Sequence, residues 1–296
     1  MNKALIFGAN GLLGQCLLKR FAGKYQLIAA SLEDHLYLDM PDCEYHQIDI
    51  AHRVRMQELL DSTRPDLIIN AAAYTDVDKS ERERELCWNV NVRGVENIIE
   101  SGLAGQTILV QISTDYVFDG EDPPYREIDH PNPRGNYARS KMASENIIKT
   151  SDFQYIIARS QVLYGSGTKI RLNFVTWVID QLKKGKKIRV VSDQIGNPTY
   201  APDLCEAIFR LLEQECYGLY HIAGHESISR YDFALKIAAQ FNLNADLIEK
   251  ISTEELNQKV PRPRNSTFVL DKLYNNITWL PHNVEDGLKL LKKEIE

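Results

Sequence analysis

Three glycines, Gly8, Gly11 and Gly14, follow the short apolar run 3–7 and lead into the amphipathic stretch 12–21. A strand that turns through glycines into a helix is narrowly constrained. The glycines permit a tight turn, close approach of backbone to a pyrophosphate, and close packing of helix on strand. The helix start offers unpaired N–H groups and partial positive charge to an anion. The GxxGxxG spacing in this context predicts a dinucleotide site.

The rest of the first half repeats the alternation. Residues 26–30, 45–48, 67–70, 108–112 and 155–160 read as strands. Residues 53–62, 83–101 and 137–150 read as helices. Strands separated by helices imply βαβ crossovers and a parallel sheet. The runs LIIN and ILVQI are nearly all apolar, as strands buried on both faces require. The expected fold class is therefore α/β, a Rossmann-type doubly wound parallel sheet with a smaller C-terminal lobe.

Beyond residue 161 the pattern loosens. Helices are expected over 172–184, over 202–215 and from a Ser229 cap to Phe241, with strands over 187–191 and 218–222. Residues 1–160 are read as the dinucleotide-binding domain. Residues 161–296 are read mainly as a substrate-binding lobe, with segments returning to the sheet.

Composition narrows the function classes. With a net charge of −6, the chain has no electrostatic footprint for nucleic acid. No apolar run reaches the roughly 20 residues of a membrane span, and the N-terminal run is too short for a signal peptide. A cytoplasmic protein is expected. Five cysteines without a CxxC pair, and His221 and His225 separated by Gly224, predict neither disulfides nor a metal site.

The chemistry is expected from a second motif. Tyr137 and Lys141 are spaced YxxxK, which on a helix puts both on one face. Ser113 and Thr114 stand at the end of an expected buried strand. Reduction of a ketone needs a hydride and a proton. A tyrosine of pKa about 10 is a sluggish acid–base group near neutrality. One ammonium near 4 Å at an effective dielectric of about 20 would lower it by about three units. Lys141 is expected to be that charge. Thr114 is expected to hold the substrate oxygen beside Tyr137. At the end of the second strand Ser31 is neither the acid that grips ribose hydroxyls nor the arginine that accepts a 2′-phosphate. Glu33 and Asp34 follow it, so NADPH and NADH both stay open.

Together these residues resemble the extended short-chain dehydrogenase/reductase superfamily and, within it, the dTDP-4-dehydrorhamnose reductase family. The resemblance spans nearly the whole chain. Besides the glycines and YxxxK it rests on Asp49-Ile50, on Asn70-Ala71-Ala72-Ala73 with Tyr74-Thr75 and Val77-Asp78-Lys79, and on Asn91-Val92-Arg93-Gly94. Further on it rests on Ser113 to Phe118 (STDYVF), Gly196-Asn197-Pro198-Thr199 and Arg262-Pro263-Arg264-Asn265-Ser266. It implies that Gly11, Leu12, Leu13, Asp49, Ile50, Ala71, Ala72 and Ala73 line the dinucleotide. It implies a catalytic set of Thr114, Tyr137 and Lys141. Thr114 and Asp115 would face the sugar, with Asn173 and Arg262 in the substrate lobe. The implied reaction reduces the 4-keto group of dTDP-6-deoxy-L-lyxo-4-hexulose to dTDP-L-rhamnose. The implied partners are this nucleotide sugar and, at most, a second copy of the chain.

There are departures. The aligned run Arg159-Ser160-Gln161-Val162 carries Gln161 where the family often has a tryptophan against the sugar. Gln15 and Cys16 stand where some members carry acids that bind magnesium, so no such metal is expected. Two other readings remain. Pro123 to Glu127 and Arg262 to Asn265 also resemble the regulatory β subunit of methionine adenosyltransferase, a non-catalytic NADP-binding partner. An epimerase or 4,6-dehydratase shares the fold, but the dehydratases follow the threonine with an Asp-Glu pair, and here Asp115 precedes Tyr116.

Overall fold

The computed structural model describes residues 2–296. Its strands, in chain order, are β1 (Lys3–Phe7), β2 (Gln26–Ser31), β3 (Glu44–Gln47), β4 (Leu67–Asn70), β5 (Ile108–Thr114), β6 (Gln154–Ser160), β7 (Leu163–Tyr164), β8 (Ile188–Val191), β9 (Ile195–Gly196), β10 (Thr199–Tyr200), β11 (Gly218–His221), β12 (Ile228–Ser229) and β13 (Ile248–Ile251). The helices are α1 (Leu12–Phe21), α2 (Arg53–Thr63), α3 (Arg84–Trp88), α4 (Gly94–Ile99), α5 (Gly135–Lys149), α6 (Phe174–Lys183), α7 (Ala201–Glu213), α8 (Arg230–Gln240), α9 (Thr253–Leu256), α10 (Asp271–Ile277) and α11 (Val284–Ile295).

Seven strands form one sheet in the order β11-β6-β5-β4-β1-β2-β3. Every pairing in it is parallel. Alternate side chains of each strand feed two cores. On one face Ile6, Val110, Ile156 and Ala158 pack with Leu17 and Phe21 of α1 and with Leu204 and Ile208 of α7. On the other, Leu5, Leu109 and Ile157 pack with Leu60 of α2, Ile98 of α4 and Ile148 of α5. Burial on both faces is what made these strands continuous apolar runs. The order reverses between β1 and β4, so the crossover helices that follow those strands leave on opposite faces of the sheet and a crevice opens at the strands' carboxyl ends.

The second half adds a lobe in which α6, α8 and α11 bury Val178, Phe233 and Leu288 together with Ile188 of β8 and Ile248 of β13. It does not stay apart: β11 returns to pair with β6, Gly218 to His221 against Ile156 to Arg159.

The expected helix over 83–101 runs without a gap from Arg84 to Ile99, with a π turn inside it. The chain makes a 3-10 turn at Lys79–Glu81, then α3, a π turn at Asn89–Arg93, and α4. Asn91 is the reason. Its side chain turns inward, accepting from the Tyr74 N–H at 2.8 Å and donating to the Ser140 hydroxyl at 2.9 Å. A π bulge places a polar group inward where a regular helix would carry it past. The link ties the loop after β4 to α5.

Candidate active site

The glycine loop is shaped by its neighbours. Gly8 has φ +73°, and a Cβ there would lie 2.7 Å from the Ala72 nitrogen. The loops after β1 and β4 therefore touch where only glycine fits. A Cβ on Gly14 would collide with the Gly8 carbonyl oxygen. Gly11 is exposed, and its missing Cβ meets only the Gly8 oxygen, at 3.2 Å. Gly11 is thus the open side of the turn. No side chain caps α1 at Gly11, so the first-turn N–H groups have no intrahelical partner. Leu13 is buried in the core, so what it can offer a ligand is its N–H. Such a cradle of backbone donors fits a pyrophosphate.

At the far end of the crevice, the Ser31 hydroxyl accepts from the Asn10 N–H at 3.4 Å. Asn10 in turn donates to Glu33 and to the His35 carbonyl. Asp49 is exposed and its carboxylate takes the Ala51 N–H, while buried Ile50 packs on Gly94. Ala71, Ala72 and Ala73 are half-buried along the loop after β4. The amide of Gln15 is occupied by the loop at 165–172, exchanging hydrogen bonds with the Thr168 backbone at 2.8 and 2.9 Å. Among the described residues no cluster of three metal-ligating side chains occurs.

Thr114, Tyr137 and Lys141 come together at the carboxyl end of β5. The Thr114 side chain meets the Tyr137 phenol. Lys141, almost fully buried, donates from Nζ to the Ile112 carbonyl at 2.7 Å. The expectation that Lys141 lowers the phenol's pKa is not met. Burial raises Tyr137 above its usual value, opposed by Thr114 and reinforced by Asp115 and Tyr116. Burial also brings Lys141 down to about 8, opposed by Glu145 and Cys87. The ammonium is drawn to a backbone carbonyl, and removal from water dominates both groups. At neutral pH the phenol is protonated and the amine largely charged.

A polar network lies beside this trio. Asp115 is buried and pushed up to about 6, with Ser266, Arg230 and Thr114 acting against the rise. Ser266 Oγ donates to Asp115 Oδ2 at 2.7 Å. Tyr116 packs edge-on against Tyr137 with ring centroids 6.0 Å apart. Arg262 reaches Tyr116 and donates to Asp78 Oδ2 at 2.8 Å, which brings the C-terminal lobe against the loop after β4.

Two residues sit differently from the rest. Asn173 caps α6, accepting from the Thr176 N–H and donating to the Gly165 carbonyl at 2.8 Å. Gln161 is buried, accepting from the Asn197 N–H at 2.9 Å and donating to the Ser266 carbonyl at 3.1 Å. It laces the end of β6 to the segments at 196–199 and 262–266. The next residue, Val162, has φ +47°, a rare conformation for a β-branched side chain. Sequence reasoning did not single out Ser266, Tyr116 or Arg230 as site residues. Ser266 and Tyr116 stood in motifs that carry the resemblance, but their partners are fixed only by the fold, Ser266 meeting Asp115 from 151 positions away.

The whole chain, residues 1–296, matches the family model described as RmlD substrate binding domain. It is 32% identical to the dTDP-4-dehydrorhamnose reductase of Aggregatibacter actinomycetemcomitans, covering all of both chains. The chain belongs to the dTDP-4-dehydrorhamnose reductase family. A crystal structure of the family's reductase from Bacillus anthracis, in complex with NADP, superposes with a TM-score of 0.88 at 34% identity, covering 99% of this chain and 100% of that one. The methionine adenosyltransferase 2 subunit beta of Xenopus tropicalis is 29% identical, over 92% of this chain and 81% of its own. These two reductases therefore match at higher identity and over more of their length than the regulatory subunit does.

Proposed function

We propose that the chain reduces the 4-keto group of a nucleotide-linked deoxysugar with NADPH, NADH serving as a second possible donor. The substrate is dTDP-4-dehydrorhamnose and the product dTDP-L-rhamnose. The observation that carries this reading is the convergence of Thr114, Tyr137 and Lys141 at one strand end, beside a glycine cradle, in a chain matched end to end by reductases of that name.

When bound, the reduced nicotinamide supplies the hydride. Gly8, Gly11 and Gly14, with the N–H groups of Leu12 and Leu13, hold the pyrophosphate. Ser31, Asp49, Ile50, Ala71, Ala72 and Ala73 line the rest of the dinucleotide. Thr114 orients the carbonyl oxygen. Tyr137 would give its proton to that oxygen, and the phenolate would regain one from solvent. Its raised pKa suits a group that must arrive protonated. Lys141 holds the nicotinamide ribose and supports the phenolate once formed. Asp115, Arg262 and Asn173 serve the sugar side.

Residues 1–160 act as the dinucleotide domain and 161–296 mainly as the substrate lobe. No helix among the described residues is long and apolar enough to cross a membrane. The protein is read as cytoplasmic, a monomer or homodimer, without nucleic-acid or membrane partners and without a resident metal.

The regulatory-subunit reading predicts cofactor binding without turnover. The dehydratase reading needs a second acid after Asp115, and Tyr116 occupies that place. Purified protein mixed with a dTDP-4-keto-6-deoxyhexose should oxidise NADPH or NADH, followed at 340 nm. Tyr137→Phe should bind cofactor normally and lose about 10²- to 10⁴-fold in turnover, the usual worth of general acid–base catalysis. No oxidation with either cofactor across several nucleotide sugars would move the reading to the binding protein.

A further inference from the structure

We propose that Glu145 and Arg159 are a positioning pair, setting α5 on β5 so that Tyr137 and Lys141 stay aligned with Thr114. Both side chains are buried, at 0% and 1% exposure. Arg159 grips the carboxylate with two bonds, Nε to Oε1 at 2.9 Å and Nη2 to Oε2 at 2.7 Å. The Ser113 hydroxyl donates to Oε1 at 2.6 Å, and Lys149 Nζ donates to Oε2 at 3.0 Å.

Three elements meet at this one carboxylate, each next to the trio. Ser113 on β5 precedes Thr114. Glu145 lies one helical turn beyond Lys141. Arg159 on β6 precedes Ser160, which pairs in register with Thr114. The remaining donor of Arg159, Nη1, lies 3.4 Å from His221 Nε2 on β11. Burial and Arg159 hold His221 neutral, so Nε2 accepts from Arg159.

Stability does not account for such a pair. Apolar residues of similar volume stabilise as well or better, because two buried charges are costly to desolvate. Apolar contacts also tolerate a small slip of helix over strand, whereas a bidentate bond does not. Misplacement of reacting groups by about 1 Å can cost about 100-fold in rate.

The pair also governs charge at the amine. The groups acting on Lys141 are Glu145 on its own helix and Cys87 from α3, with Arg159 from β6 and Lys149 gripping Glu145 beyond. Removing the carboxylate takes away the charge that favours the ammonium, so Lys141 should lose its proton at lower pH.

The inference rests on the reductase reading. Its test has one arm that needs no sugar. In the Glu145→Met/Arg159→Leu double variant, the melting temperature should stay close to wild type while kcat falls about 10-fold or more and the KM for NADPH changes little. The fall in kcat with rising pH should begin earlier. In protein carrying [ε-13C]lysine, with Lys141→Arg to assign the signal, the Lys141 resonance should titrate below its wild-type midpoint. A folded double variant with wild-type kcat and an unmoved Lys141 midpoint would overturn the proposal. If the double variant does not fold, Ser113→Ala decides: a clear fall in kcat at unchanged melting temperature supports positioning, and unchanged kcat overturns it. A wild-type protein that turns over no keto sugar would sink the reductase reading alone, since the lysine titration is read regardless.

Discussion

At Asp115 a carboxylate is held where water does not reach, a residue away from Thr114. Its pKa is raised from 3.8 to about 6, burial being the largest cause. The folded state therefore holds the proton more tightly than the unfolded one. The resulting stability is fully present below 3.8 and is lost as pH rises through about 6. Above that, the buried charge costs on the order of 3 kcal/mol even with the Ser266 hydrogen bond in place. Asp115→Asn keeps an acceptor and removes the charge. It should raise the melting temperature clearly at pH 8 and little at pH 4. Calorimetry at both pH values checks this, and equal shifts would count against a buried charge. The substitution should also impair turnover, as expected when stability is given up at a site for function.

Among the elements, α6 shows most plainly how a cap and a site residue compete for one side chain. Asn173 was expected on the sugar side, and its amide closes a capping box with Thr176. Losing such a cap costs about 1 kcal/mol, which in a chain this long lowers the melting temperature by about 2–4 °C. Asn173→Ala should show that loss, and Asn173→Ser, which still caps, should recover most of it. If Asn173 also serves the sugar, both variants should raise the substrate KM. A raised KM in Ala alone would assign the effect to the helix start. The π turn inside the helix at 84–99 has the same character. The helix's apolar period was readable, but the π turn depends on Asn91 finding Tyr74 and Ser140, and local periodicity carries no sign of partners that far away.

Over the whole molecule, cofactor binding and folding are linked, because a ligand that binds only the native state stabilises it. At 100 times Kd the gain is about 2.7 kcal/mol. Adding NADPH should therefore raise the melting temperature with concentration. Gly8→Ala should abolish that rise, since a Cβ there is strained at φ +73° and crowds the Ala72 backbone. A full NADPH-dependent rise in the variant would place the dinucleotide elsewhere. The two halves are also tied together through β11, through Arg262 on Asp78 and through Gln161 on the segments near Asn197 and Ser266.

What could be read along the chain was whatever repeats over a few residues: apolar runs for buried strands, glycines three apart for the turn, a tyrosine and a lysine one helical turn apart. These patterns arise from backbone geometry and side-chain period, which are local. Whatever depends on residues meeting from distant positions emerged only on folding. Ser266 reaches Asp115 across 151 positions and Arg262 reaches Asp78 across 184. The proton affinities of Tyr137 and Lys141 belong to the same class. The spacing of the two pointed to a lowered phenol, yet desolvation is set by everything packed around a group, and it raised one and lowered the other.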